Sequence, residues 1–182
     1  LTTTHLGLEL KNPLIASASP LTASLDSIKK LEENGIAAVI MHSLFEEEIN
    51  HEIHQIDHFL NIHSNANAEA NTYLPTEVDF ENLDSEHYLE EIRKIKTSVQ
   101  IPIIASLNGV SAGGWVKYAK KLQEAGADAL ELNITYIPTS IDMESQTVEQ
   151  MYIDTVAQVK KHISIPLNVK MNAYFCSPAK RA

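Results

Sequence analysis

The chain is poor in several things that would each have opened a line of reading. Its 182 residues include one cysteine, one tryptophan and six glycines, with 14 Lys and Arg against 24 Asp and Glu, net −10. A lone Cys176 excludes an internal disulfide framework and suits a reducing cytoplasm. So acidic a balance argues against nucleic acid as a partner, because phosphate contacts need clustered Lys and Arg. No apolar run approaches the roughly 20 residues a membrane-spanning helix needs. The opening residues, Leu1 to Pro13, are polar and alternate like paired extended segments, unlike a secretion signal. No Gly-x-Gly-x-x-Gly follows the first strand-like run, which counts against a dinucleotide-binding open sheet.

What is present describes a soluble globular chain, 44% apolar and 21% charged. Its length suits one domain over residues 1–182. The clearest unit runs from Ile101 to Asn133. Ile101-Pro-Ile-Ile-Ala-Ser-Leu107 reads as a strand opened by a proline, which cannot donate to a sheet ladder. Ser111 to Glu124 has apolar residues at Trp115, Val116, Ala119 and Leu122 with lysines between them, the spacing of an amphipathic helix. Gly126 stops that helix, and Ala129 to Asn133 returns as a second strand. Strand, helix and parallel strand make a βαβ unit.

The same grammar recurs along the chain. Leu6 to Pro13 reads as a small β element outside the main sheet. Leu14 to Ser19 reads as a buried strand ending in small residues, and a helix capped by Ser24 or Asp26 ends at Asn34-Gly35. Ile36 to Met41 is the next strand, closed by His42-Ser43. Glu46 to His63 predicts an amphipathic helix with an acidic start, and Ser64 to Asp84 a long polar loop. Glu86 to Lys96 predicts a helix, as does Thr147 to His162, with Val148, Met151, Val156 and Val159 inward. Leu167 to Met171 is a further buried strand. Four histidines, His51, His54, His58 and His63, sit close together. An exposed polar helix face explains them more simply than a closed metal cage does, and no metal is expected.

Parallel strands alternating with helices leave an open doubly wound sheet or a closed (β/α) barrel, and the missing glycine motif favours the barrel. The expected fold is α/β, a (β/α)8 TIM-barrel type of which about five or six N-terminal βα units are present. The pattern stops soon after a strand, so we expect a barrel truncated at its C-terminus. Half a barrel would leave two parallel edges open unless covered, for example in a homodimer.

Barrel active sites lie at the carboxyl ends of the strands. The polar residues there are Ser17, Ser19, His42, Ser43, Ser106, Asn108, Glu131, Asn133, Lys170 and Asn172. A Ser or Asn at a strand end usually satisfies loop backbone groups. Lys170 is harder to explain structurally: a lysine set among Leu, Val and Met needs an anionic or electron-rich partner.

Three stretches together resemble one family: Asn12-Pro-Leu-Ile-Ala-Ser-Ala18, Glu131-Leu-Asn-Ile-Thr135, and Pro166-Leu-Asn-Val-Lys-Met-Asn-Ala-Tyr-Phe175. They are similar to the dihydroorotate dehydrogenases, FMN-dependent (β/α)8 barrels, and most resemble the soluble class and its dehydrogenase-like relatives. The resemblance implies that Ala16, Ser17 and Ala18 let backbone pack against the flavin. It implies that Ser43 and Asn133 contact the flavin, and that Lys170 lies near the flavin ring, where a cation stabilises the reduced form. His42 stands where the family has a substrate-contacting lysine, and Asn108 falls with the substrate-binding residues. The family's catalytic base, a cysteine or serine, is replaced by Tyr136. A phenol is a poor base at neutral pH unless activated, so Tyr136 is expected to act as an acid instead. Of the family's substrate loop only Thr72-Tyr-Leu-Pro75 is recognisable, and the glycine-rich phosphate loops fall outside this sequence. The reading is therefore an FMN-dependent oxidoreductase acting on CH–CH bonds of a small molecule, in pyrimidine biosynthesis in the cytoplasm. Two alternatives stay open: a flavin-free barrel lyase using Lys170 as a Schiff-base amine, and an inactive barrel fragment.

Overall fold

The computed structural model of the chain describes residues 1–49, 51, 83–109 and 111–171. The predicted helix from Glu46 is helical over 46–49, and Ile49 is buried in the core. His54, His58, His63, Thr72 to Pro75, Asn172 and Cys176 lie outside the described residues.

Strands β1 (Thr3–His5) and β2 (Leu8–Leu10) form an antiparallel hairpin, the small β element expected at the start. Leu6 and Gly7 turn it with φ of 55° and 75°, the paired positive values that suit a tight hairpin. The other strands are β3 (Ile15–Ala16), β4 (Ala38–Phe45), β5 (Ile103–Asn108), β6 (Ala129–Asn133) and β7 (Leu167–Lys170). Between them run helices α1 (Leu25–Glu33), α2 (Leu83–Ser98), α3 (Ala112–Glu124) and α4 (Ser145–His162).

The strand order β3-β4-β5-β6-β7 follows the chain, and every pairing is parallel. That order separates the two architectures left open by the sequence. A doubly wound sheet reverses its strand order at a switch point and puts helices on both faces. Here Ile28 of α1, Ile92 of α2, Leu122 of α3 and Val159 of α4 join one buried cluster with Val39, Ile103, Leu130 and Leu132 of the strands. These four helices cover one face, as in a (β/α) barrel wall, and the described residues form a partial barrel of this kind.

The other face is the barrel interior. At the amino ends of the strands it is apolar: Ile40, Ile104 and Ala129 are buried together, with Leu6 and Leu8 of the hairpin packed against them. The hairpin thus closes the bottom. Strand entries are fixed by side chains at helix ends. Glu32 accepts the backbone N–H of Gln100 and Ile101 at 2.8 and 3.2 Å, and Gln123 those of Ser164 and Ile165 at 2.6 and 3.2 Å. Each holds the two N–H groups that precede the proline of an Ile-Pro pair, so the repeated dipeptide marks a repeated joint.

Three expectations change in detail. The strand expected over Leu14 to Ser19 is paired only at Ile15–Ala16, because β3 is an edge with one neighbour. β7 is half-buried for the same reason. The strand expected to end at Met41 runs on to Phe45, since a bulge between Ile40 and Ser43 absorbs one extra residue and pairing resumes beyond it. Among the described residues no helix is long and apolar enough to cross a membrane.

Candidate functional site

Side chains alternate along a strand, so residues paired across parallel strands form rows on one face. Above the apolar floor the interior carries two polar rows. The lower pairs Ser43 with Ser106, Ser106 with Glu131, and Glu131 with Asn168. Ser43 and Ser106 share a hydrogen bond of 2.8 Å between their hydroxyls, and the Asn168 amide donates to Glu131 Oε2 at 2.9 Å. Glu131 is 4% exposed, and its Oε1 has no partner among the described residues.

The upper row lies at the carboxyl ends: Phe45 pairs with Asn108, and Asn133 with Lys170. Leu132 and Val169, the residues before Asn133 and Lys170, pack into the helix-side core, which puts Asn133 and Lys170 on the interior. Lys170 is exposed and forms no ion pair among the described residues. Asn133 Oδ1 receives a long 3.4 Å contact from the Thr135 hydroxyl. Of the residues proposed from sequence, the sheet therefore brings Ser43, Asn108, Asn133 and Lys170 to one face. Ser17 is exposed just beyond β3, Ala16 packs toward the helix side, and Ala18 joins the interior apolar cluster.

Two candidates lie elsewhere. His42 falls in the β4 bulge, and its ring meets Tyr88 of α2 edge-on at 4.8 Å. The bulge turns both Met41 and His42 to the helix side, where His42 lines a cleft of about 110 Å³ with His87, Tyr88 and Glu91. Its Nδ1 is buried without a partner among the described residues. Tyr136 packs against the helix-side core; its hydroxyl reaches Met143 Sδ at 3.5 Å and its backbone N–H donates to the Tyr152 hydroxyl at 3.1 Å. Among the described residues no group of three or more His, Cys, Asp or Glu is arranged to hold a metal ion.

Sequence reading missed Asn168. Its signal was available: it stands two residues before Lys170 on a strand, hence on the same face. The Glu131–Asn168 bond needed the register of β6 against β7, which no local pattern shows.

No family model matches the chain. It is 28% identical over 173 residues to a Thermoplasma acidophilum protein described as the catalytic subunit of NAD(+)-dependent dihydroorotate dehydrogenase B, covering 94% of this chain and 54% of that protein. The Thermoplasma volcanium protein of the same description is 27% identical over 174 residues, with the same coverage. The chain thus spans about half the length of the curated relatives it matches. Among solved structures it is similar to a dihydrodipicolinate synthase from Agrobacterium tumefaciens, with TM-score 0.52, 18% identity, and coverage of 89% of this chain and 45% of that one. A dihydrodipicolinate synthase from Bacillus clausii gives TM-score 0.50 at 12% identity, over 91% of this chain and 47% of the other. At such identities the structural likeness speaks for the fold alone.

Proposed function

We propose that the chain is part of an FMN-dependent oxidoreductase, dihydroorotate dehydrogenase-like, that acts on a CH–CH bond of a small cyclic substrate in cytoplasmic pyrimidine biosynthesis. The complete protein would be an eight-stranded barrel. The observation that carries this reading is the pairing of Asn133 with Lys170 at the carboxyl ends of neighbouring parallel strands, on the interior face. The likeness to the two Thermoplasma subunits supports it.

The residues present suit FMN. A planar, electron-poor ring with carbonyl and ring-nitrogen acceptors asks for donors at one edge and small residues along a face. Lys170 and Asn133 are such donors, and the small residues Ser17 and Ala18 follow β3 at that end, Ala18 on the interior. Ala16, expected beside the flavin, packs on the helix side instead. Bound FMN would supply reversible two-electron acceptance. Lys170 would hold positive charge beside the ring, where negative charge is costly without a counter-ion. Asn133 would orient the ring through its carboxamide, and Ser43, tied to Ser106, would support it from below. Asn108 shares the face and is assigned to substrate. His42 and Tyr136 would reach a ring there only by leaving Tyr88 and Met143.

The test is the intact protein, purified and examined for bound flavin. Wild type should be yellow, and Lys170→Ala and Asn133→Ala should each weaken FMN binding by roughly tenfold or more, the worth of one good hydrogen bond to a charged or polar group. A second reading keeps Lys170 but uses its amine to form an imine with a carbonyl substrate. A colourless protein that traps substrate on Lys170 under borohydride would put that lyase in place of the flavin enzyme.

A further inference from the structure

The five strands of the sheet contain one carboxylate and one amine side chain, Glu131 and Lys170, and both lie on the interior face one row apart on adjacent strands. Buried polar groups in folded proteins are paired, and a carboxylate oxygen left without a donor costs stability unless something else meets it. Glu131 is held so that one oxygen is spent and one is not. Asn168 donates to Oε2 at 2.9 Å, and Oε1 is buried with no donor among the described residues. One row above, Asn133 on the same strand and Lys170 beside it on β7 carry side-chain N–H groups that donate no hydrogen bond among the described residues. Two donors thus stand side by side in the row above one acceptor.

We propose that Glu131 is a ligand-binding residue whose Oε1 accepts the ring N–H of a cyclic imide or ureide, while Asn133 and Lys170 donate to the flanking carbonyls. Such a group, C(=O)–NH–C(=O), offers one donor and two acceptors on a single edge, which matches in kind and number the one acceptor and two donors gathered here. A carboxylate makes a stronger acceptor for that N–H than an amide does, and it repels a ring edge that offers a lone pair instead. The Ser43–Ser106 pair borders the acceptor in the same row and supplies no competing cation. No bond is made or broken; the role is recognition.

Two ring systems bear this group, the flavin and a pyrimidine-type substrate. The inference deepens the flavin reading and rests on it for the first of these sources. Both are separable by binding measurements on the intact protein, without turnover. Apoprotein is titrated with FMN and with N3-methyl FMN, which lacks the N–H, and then with dihydroorotate and its N3-methyl derivative. If the flavin is the source, wild type prefers FMN over the methylated form by roughly tenfold to a hundredfold, the range for a hydrogen bond to a charged group. Glu131→Gln, which can turn either its oxygen or its nitrogen to the ligand, shrinks that preference, and Glu131→Leu abolishes it. If the substrate is the source, the same pattern appears with dihydroorotate and not with FMN.

Should Glu131→Leu fail to fold, Glu131→Gln and the methylated ligands on wild type still decide. FMN bound with no preference over N3-methyl FMN, together with no preference in the dihydroorotate pair, overturns the role of Glu131 and leaves the flavin reading standing. Dihydroorotate selected through Glu131 by a protein that binds no FMN keeps the inference and overturns the flavin reading. Binding of neither overturns both.

Discussion

Glu46 and Ser111 are 65 positions apart and joined twice: the carboxylate accepts the Ser111 backbone N–H at 3.0 Å and its hydroxyl proton at 2.5 Å. Ser111 is the N-cap of α3, and its hydroxyl oxygen in turn accepts the Gly114 N–H at 2.9 Å. A negative charge is thereby seated at the positive end of a helix dipole. The contact ties the residue after β4 to the turn after β5, so two neighbouring strands present their carboxyl ends in fixed relation. Asn108 and Ser43 share a face through the β4–β5 ladder, and the tie joins the chain just beyond the two strands.

The tie predicts opposite effects for two adjacent glycines. A methyl group at Gly114 would overlap the Glu46 carboxylate, whereas one at Gly113 meets nothing within 4 Å. Gly113→Ala should stabilise the protein by about 0.5–1 kcal/mol, through reduced freedom of the unfolded chain. Gly114→Ala should cost about 1–3 kcal/mol through overpacking. Urea unfolding of both variants checks this, and a Gly114→Ala midpoint at or above wild type would show that Glu46 moves aside freely.

Asp128 holds two donors at the lower end of the sheet. Its carboxylate meets Lys96 Nζ at 2.6 and 2.8 Å and accepts the Ile103 backbone N–H at 2.7 Å. The Lys96 pair is about 30% exposed on each side, which dilutes its contribution. The Ile103 N–H is another matter, since Ile103 is fully buried. Asp128→Ala should therefore cost about 1–3 kcal/mol by stranding a buried donor, and Lys96→Ala less than about 1 kcal/mol. Equal losses in the two variants would mean that the ion pair, and not the backbone bond, is what matters.

Much of this was legible in the sequence because it is local. Gly35 and Gly126, the Ile-Pro pairs and helical spacing located the units, and the ends of the strand-like runs put Asn133 and Lys170 at the carboxyl ends of their strands. What failed to show was long-range. The bulge in β4 depends on how β4 is paired with β5, and it alone turns His42 toward Tyr88. The seat of Glu46 at Ser111 and the bond between Glu131 and Asn168 join residues with no shared local pattern. Tyr152 is buried on α4 and takes the Tyr136 N–H, although the apolar spacing named Val148, Met151, Val156 and Val159.

Tyr136 tests the chemistry directly. With its hydroxyl on Met143 Sδ and its ring on the helix-side core, Tyr136→Phe in the intact protein should leave the proposed reaction, reduction of flavin by substrate, within about twofold of the wild-type rate. General acid catalysis typically contributes 10²–10⁴-fold. A loss of that size, read in single-turnover kinetics, would mean that the loop after β6 rearranges to bring the phenol to the ring.

Tyr88 gives the fold a dependence on alkaline pH. Its hydroxyl donates to the His42 carbonyl at 2.6 Å, and burial pushes the phenol above its ordinary value of about 10. A raised value means that the folded protein keeps this proton after the unfolded chain has lost it. The stabilisation is thus complete below about pH 10 and fades as pH climbs from there toward the folded value. Tyr88→Phe removes the titrating group and strands the His42 carbonyl, costing about 1 kcal/mol at neutral pH. Urea unfolding of both proteins from pH 7 to 11 should show wild type the more stable at pH 7, with the gap closing above pH 10. A gap that stays constant across the range would show that Tyr88 is open to water in solution, and the cleft beside His42 with it.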